Sequence, residues 1–156
     1  MTRQDDLGKA ADEVERALSY LVPEQVEVRC QPIGGAVEML YPSERAAIAN
    51  AIDTRQQEFA TGRVLARSAL QQIGEEAVEI PMDVRRGPVW PLGVRGSISH
   101  SSGLCVVAVA QARNVQALGL DIERVGAVKA DIMASVCHER ELRANADLFP
   151  EDELNA

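Results

Sequence analysis

The chain has 156 residues, 46% of them hydrophobic and 26% charged, which suits one domain with a core or two small lobes and excludes a disordered or fibrous chain. No apolar run reaches the roughly 18 residues of a membrane span, and the opening "MTRQDDLGKAADEVER" lacks the basic and apolar regions of a signal peptide, so a cytoplasmic protein is expected. The formal net charge of −8 argues against general nucleic-acid binding, which needs a broad basic face.

In chain order, residues 8–20 predict an amphipathic helix stopped near Pro23. "VEVRCQ" (26–31) and "AVEML" (36–40) predict strands around the turn residues Pro32, Gly34 and Gly35. Ser43 is the expected N-cap of a helix through "ERAAIANA". The longest helical pattern is 54–74, where Phe59, Gly62, Ala66, Leu70 and Ile73 form one apolar stripe and Gly74 is the natural stop. A short strand near "AVEI" (77–80) and a Pro/Gly loop over 81–93 follow. "VRGSIS", "LCVVAVA" and "ALGLDIE" predict strands, and 130–145 a weaker helix. Strands grouped after helices indicate an α+β fold with a mainly antiparallel sheet. With 3% aromatics, its core must be built from Ala, Val, Leu and Ile. Cys30, Cys105 and Cys137 are odd in number and widely spaced, which fits free thiols in a reducing compartment rather than disulfides or a zinc site.

Charge is unevenly spread. Residues 1–53 hold 10 acids and 5 bases, residues 54–113 hold 5 acids and 7 bases, and residues 114–156 hold 9 acids and 4 bases. A basic middle between acidic ends allows a small anion to be held there. Arg63 and Arg67 share a helix face and have no acid three or four positions away, whereas Arg55 has Glu58. The unpartnered pair reads as a phosphate clamp or as a solvated basic stripe. Arg85 and Arg86, in the Pro/Gly loop, would join them in one anion site if the fold brought them together. Trp90, between prolines, is a stacking surface or a packing plug.

In "GSISHS" (96–101), Ser99 and His100 are strand neighbours and point to opposite faces. That geometry disfavours an adjacent Ser–His dyad, and the G-x-S-x-G elbow of a hydrolase is absent. The pair suits hydrogen bonding to phosphate, or a histidine satisfied in a turn. In "GLDIE" (119–123), Asp121 and Glu123 share one strand face, with Leu120 and Ile122 on the other. Two adjacent carboxylates repel unless a hard cation such as Mg²⁺ sits between them; the alternative is a solvated edge. Together these features suggest a multiply phosphorylated ligand and phosphoryl-transfer or pyrophosphate-cleaving chemistry.

The succession "EFATGRVLAR" (58–67), "GPVWPLGVRGSISHS" (87–101) and "GLDIE" (119–123) resembles the 4′-phosphopantetheinyl transferases of the enterobactin-synthase component D type. The resemblance implies an α+β fold of two pseudo-twofold lobes, each a small antiparallel sheet packed on a helix. It implies transfer of the 4′-phosphopantetheine arm of coenzyme A to a serine of an apo acyl or peptidyl carrier protein, with release of 3′,5′-ADP. Carried over, Arg55, Arg63, Arg67, Arg85 and Arg86 would meet coenzyme A phosphates. Ser99 and His100 would contact the nucleotide, His100 also stabilising charge on the leaving group. Asp121 and Glu123 would hold Mg²⁺, and Glu139 or Glu141 in "HEREL" would be the general base. The first lobe is expected over 1–116 and the second from 117. The family's third motif, Trp or Phe followed by x-x-Lys-Glu, has no counterpart after Phe149, where the chain reads "PEDELNA". A second lobe cut short is therefore expected, and with it either a weakened enzyme or a non-catalytic binder of coenzyme A or carrier protein.

Overall fold

Strand β3 (Leu104–Gln111) carries no apolar/polar alternation; every residue from Leu104 to Ala110 is buried. A strand reads this way when both its faces are covered, and this one is the centre of a three-stranded antiparallel sheet, ordered β1-β3-β2, with β1 at Glu27–Pro32 and β2 at Val94–Ser101. The computed structural model describes residues 3–124 and 138–144. The chain divides into two compact units, Met1–Ile122 and Glu123–Ala156.

In the first unit, helix α1 (Arg3–Leu21) covers one face of the sheet. It places Leu7, Ala10, Ala11, Val14 and Leu18, at three- and four-residue steps, against Val28, Cys30, Val106, Ala108 and Ala110. Helix α3 (Asp53–Gln72) covers the other face, packing Leu65, Ala66, Ala69 and Leu70 on Cys105, Val107 and Val109. Alternate residues of β3 thus feed two separate cores. The buried face of α3 is wider than the predicted stripe, because Phe59 and Ala60 lie in a third cluster with Ala36, Leu40 and Ile48. The helix is buried from two sides. It ends as expected at Gly74, whose φ of 79° suits glycine, and the Gly74 and Glu75 amides bond back to Gln71 O and Leu70 O.

Three predicted strands, 36–40, 77–80 and 117–123, did not form. Residues 36–40 instead make a 3-10 turn (Val37–Met39) that lays Ala36 and Leu40 on α3. At the end of 77–80, side chains take both backbone groups of Ile80: its N–H donates to Glu44 and its carbonyl accepts from Arg63. Ser43 is not the N-cap of helix α2 (Pro42–Ala47). Tyr41 holds that position, with Pro42 next and the Glu44 carboxylate accepting from the Tyr41 amide, while Ser43 bonds to Glu79. Strands β2 and β3 are joined by Ser102 and Gly103, at φ 52° and 87°, the two-positive-φ turn of a tight hairpin.

Along β2 the faces alternate. Gly96 and Ile98 meet Trp90 and Gly62 on the α3 side, and Ser97 and Ser99 meet residues 120–122 on the other. Residues 117–122, expected to open a second lobe, therefore stay with the first unit. On the outer side of β1, the Cys30 amide donates to the Glu15 carboxylate at 2.7 Å. Cys30 and Cys105 are free, and their side chains lie in the cores on opposite sheet faces. No helix among the described residues is long and apolar enough to cross a membrane. In the second unit, helix α4 spans Glu139–Ala144.

Candidate functional site

The first turns of α3 and the last residues of β2 bring Arg55, Glu58 and His100 together. Arg55 Nη1 lies 2.7 Å from His100 Nε2 and 3.3 Å from Glu58 Oε2, and Glu58 Oε2 is 3.6 Å from His100 Nε2. A guanidinium only donates, so in the shortest of these contacts Nε2 accepts and the imidazole proton sits on Nδ1. All three side chains are partly exposed, with relative side-chain exposures of 34%, 22% and 31%. The cluster pairs a cation with an imidazole whose second nitrogen remains a donor, a combination suited to a phosphate oxygen.

On the opposite face of β2, Ser99 Oγ donates to Asp121 Oδ1 and accepts from the Ile122 amide at 3.3 Å. Ser97 Oγ accepts from the Leu120 amide at 3.2 Å and donates to the Leu120 carbonyl at 3.4 Å. Residues 117–123 were expected as a strand. The alternation survives without a backbone ladder, since Leu118, Leu120 and Ile122 pack against the sheet and Asp121 is exposed. Among the described residues, Asp121 Oδ2 carries no hydrogen bond. Glu123 belongs to the second unit, where its Oε1 accepts from the Arg124 amide at 2.7 Å. No group of three or more His, Cys, Asp or Glu side chains is gathered as a metal cage among the described residues.

The arginines of α3 do not form the unpartnered pair that helix spacing suggested. Arg67 Nη1 lies 2.9 and 3.0 Å from the two carboxylate oxygens of Glu44, its Nη2 donates to Met39 O at 2.9 Å, and its guanidinium lies over the Tyr41 ring. Glu44 has no solvent exposure and also accepts from the Tyr41 and Ile80 amides at 3.0 and 2.9 Å. Arg63 is 4% exposed, donates from Nε to Ile80 O at 2.8 Å, and rests 4.2 Å from the centre of the Phe59 ring. Burial pushes its guanidinium down to about 10, still protonated at neutral pH; Glu44 opposes that shift, and Arg67 and Arg55 add to it. Arg55 alone of the three turns toward His100.

Arg85 and Arg86 are exposed at the tip of a turn that Asp83 organises by accepting from the Arg85 and Gly87 amides. Arg86 sits at φ 69°. Among the described residues, no hydrogen bond joins either side chain to α3. Trp90 is a packing residue, its ring seated on Gly96. In the second unit, Glu141 Oε2 accepts from the His138 amide at 2.7 Å and His138 Nδ1 accepts from the Arg140 amide at 3.2 Å, a reciprocal cap at the start of α4. Glu139 occupies the first position of that helix.

Sequence reading missed Glu44. Its partner Arg67 is 23 residues away, and only the apolar company of Ile48 and Leu40 on either side hints that this glutamate turns inward. Glu58 was noticed as a partner of Arg55, but not as a neighbour of His100.

Residues 43–110 match the family model described as the 4′-phosphopantetheinyl transferase N-terminal domain. The 4′-phosphopantetheinyl transferase Svp of Streptomyces mobaraensis is 40% identical over 100 residues, which are 64% of this chain and 41% of that protein. The 4′-phosphopantetheinyl transferase Npt of Nocardia iowensis is 34% identical over 96 residues, 62% of this chain and 43% of that protein. Enterobactin synthase component D of Escherichia coli (strain K12) is 31% identical over 109 residues, 66% and 50% of the two chains. The chain thus spans half or less of each of these relatives. Residues 43–110, which match the family model, contain α3 and the β2–β3 hairpin as far as Ala110, the elements carrying Arg55 and His100, and the chain resembles the 4′-phosphopantetheinyl transferases, the enterobactin synthase component D type among them, through the family's N-terminal domain.

Proposed function

We propose that this chain supplies the coenzyme A-binding lobe of a cytoplasmic 4′-phosphopantetheinyl transferase, an enzyme that moves the phosphopantetheine arm of coenzyme A to a serine of an apo carrier protein. The Arg55–Glu58–His100 cluster carries the proposal. Arg55 and His100 bring a guanidinium and an imidazole from neighbouring elements to one place, where phosphate oxygens would find donors, and Glu58 holds the guanidinium on its helix. Arg85 and Arg86, on an exposed turn, add positive charge for the remaining phosphates.

Asp121 offers an exposed carboxylate with oxygen donors only, the chemistry a hard cation such as Mg²⁺ prefers. Asp121 would hold such a cation, with Glu123 two residues along the chain as the second candidate. When bound, the cation would supply charge neutralisation at the diphosphate. In the transfer, the carrier serine oxygen forms a bond to the phosphorus that bears the arm, the phosphorus–oxygen bond to 3′,5′-ADP breaks, and the serine proton passes to a carboxylate. Glu139 or Glu141 is assigned that proton on the strength of the resemblance.

A second reading is a module that holds coenzyme A without transferring it. It is favoured by the commitment of Arg67 to Glu44, which takes that guanidinium from a phosphate. Calorimetry with coenzyme A, and mass spectrometry of an apo carrier protein incubated with coenzyme A and Mg²⁺, separate the two. Transfer adds one phosphopantetheine arm to the carrier. Binding without added mass, unchanged in Asp121→Ala, identifies the module. In both cases Arg55→Ala should weaken coenzyme A binding about 10- to 100-fold, the worth of one charge-assisted hydrogen bond. No binding by the unaltered protein would overturn both.

A further inference from the structure

We propose that Ser97 and Ser99 are positioning residues that hold residues 120–122 against β2 and thereby fix the carboxylate of Asp121. This rests on the reading of Asp121 as a cation-holding residue. The two serines lie two apart on one face of a strand, and their partners, Leu120 and Ile122, also lie two apart. The spacing is that of two neighbouring strands, but the donors and acceptors are of a different kind. Each hydroxyl accepts one backbone amide, at 3.2 Å from Leu120 and 3.3 Å from Ile122, and each gives its proton back to the same segment. Side chains do here what a backbone ladder would otherwise do. The segment lies across the face of the sheet with Leu118, Leu120 and Ile122 turned down onto it, and Asp121, between the two rungs, turned out.

Hydrogen-bond arithmetic separates this role from phosphate contact. A serine hydroxyl has one proton. That of Ser99 goes to Asp121 Oδ1, and its oxygen accepts from Ile122. A phosphate oxygen needs a donor, and while Ser99 serves Asp121 it has none to offer. His100, on the other face, keeps that task. Ser97 touches neither Asp121 nor the Arg55 cluster, so its effect on the site passes through Leu120.

Amide hydrogen exchange tests the two rungs one at a time. Ser97→Ala should speed exchange at the Leu120 amide and Ser99→Ala at the Ile122 amide, each about three- to tenfold, while amides of β3 such as Val107 keep their protection. Ser99→Thr, which keeps a hydroxyl, should restore the Ile122 protection and shows that a slow or fast rung reports the hydroxyl and not a general loosening. Mn²⁺ alone, titrated against solvent proton relaxation, then tests the consequence. Its affinity should fall about tenfold or more in Ser99→Ala, as when a partner that orients a ligand is removed, and recover in Ser99→Thr. Unchanged exchange at both amides overturns the ladder. Faster exchange with unchanged Mn²⁺ affinity overturns the positioning role. No Mn²⁺ binding by the unaltered protein overturns the cation reading of Asp121, and the purpose of the ladder with it, whereas the transferase assay and the exchange rates are read independently.

Discussion

A carboxylate with no solvent exposure must be surrounded by donors or lose its charge, and Glu44 has the Arg67 guanidinium and two backbone amides to satisfy it. Through them it ties α2, α3 and the chain at Ile80 to one point. Arg67 contributes the compensating charge, which is why it is not available as a free clamp. Removing Arg67 leaves a fully buried carboxylate without its counter-charge, and removing Glu44 leaves a largely covered guanidinium without its own. Glu44→Ala and Arg67→Ala should each cost about 3 kcal/mol of unfolding free energy in urea titrations. The double variant should lose clearly less than the sum of the two, since the stranded charge is then gone. A purely additive result would show that the pair contributes separately rather than as a unit.

At the level of elements, β2 is fitted to its surroundings by glycine on each side of the contact. Gly62 on α3 leaves room for Ile98, whose Cγ2 would lie 3.0 Å from an added Cβ. At Gly96 the fit is closer, because a Cβ would lie 2.5 Å from the Trp90 ring. Gly96→Ala should therefore displace the indole, shift the emission of the single tryptophan, and cost about 1–3 kcal/mol as an overpacked contact. An unchanged emission maximum and unchanged stability would mean that the ring does not rest on this strand. Much of this level was legible in the sequence. The α3 stripe with its Gly74 stop and the three sheet strands followed from period and turn residues, and a packing plug was one of two readings of Trp90. What was not legible depends on side chains meeting backbone across long separations. Ile80 reads as strand, yet Glu44 and Arg63 occupy its hydrogen-bonding groups. Residues 117–123 read as strand, yet two serines stand in for the neighbouring backbone. Arg63 and Arg67 read as unpartnered because helical spacing reveals only partners one turn away, and theirs lie elsewhere in the fold. At the candidate site, the opposite facing of Ser99 and His100 was readable from strand alternation, whereas the choice of Asp121 as partner of Ser99 was not.

For the first unit as a whole, the two buried thiols couple the cores on the two sheet faces to pH. Burial, helped by Glu15 and then Asp12, raises Cys30 from 9.0 to about 11. Burial, helped by Cys30 and Glu58 and opposed by Arg63, raises Cys105 from 9.0 to about 12. Once unfolded, both thiols lose their protons near 9, while in the folded protein they keep them. The unfolded state then binds fewer protons, so stability present below 9 is lost as pH rises toward 11 and 12. Arg63 acts with the opposite sign, but only above about 10, where its folded form begins to release a proton that the unfolded form retains. Between 9 and 10 the thiols act alone among these groups. The urea midpoint should fall over that interval, and the fall should be smaller in Cys30→Ala/Cys105→Ala; an equal fall in both proteins would assign it to other groups. The carboxylate of Glu15 has a further consequence beyond its effect on Cys30. By accepting the outward-facing Cys30 amide, it plugs a position where another polypeptide could hydrogen-bond onto the rim of the sheet, so that a small three-stranded layer is shielded at that point from becoming a template for fibre growth.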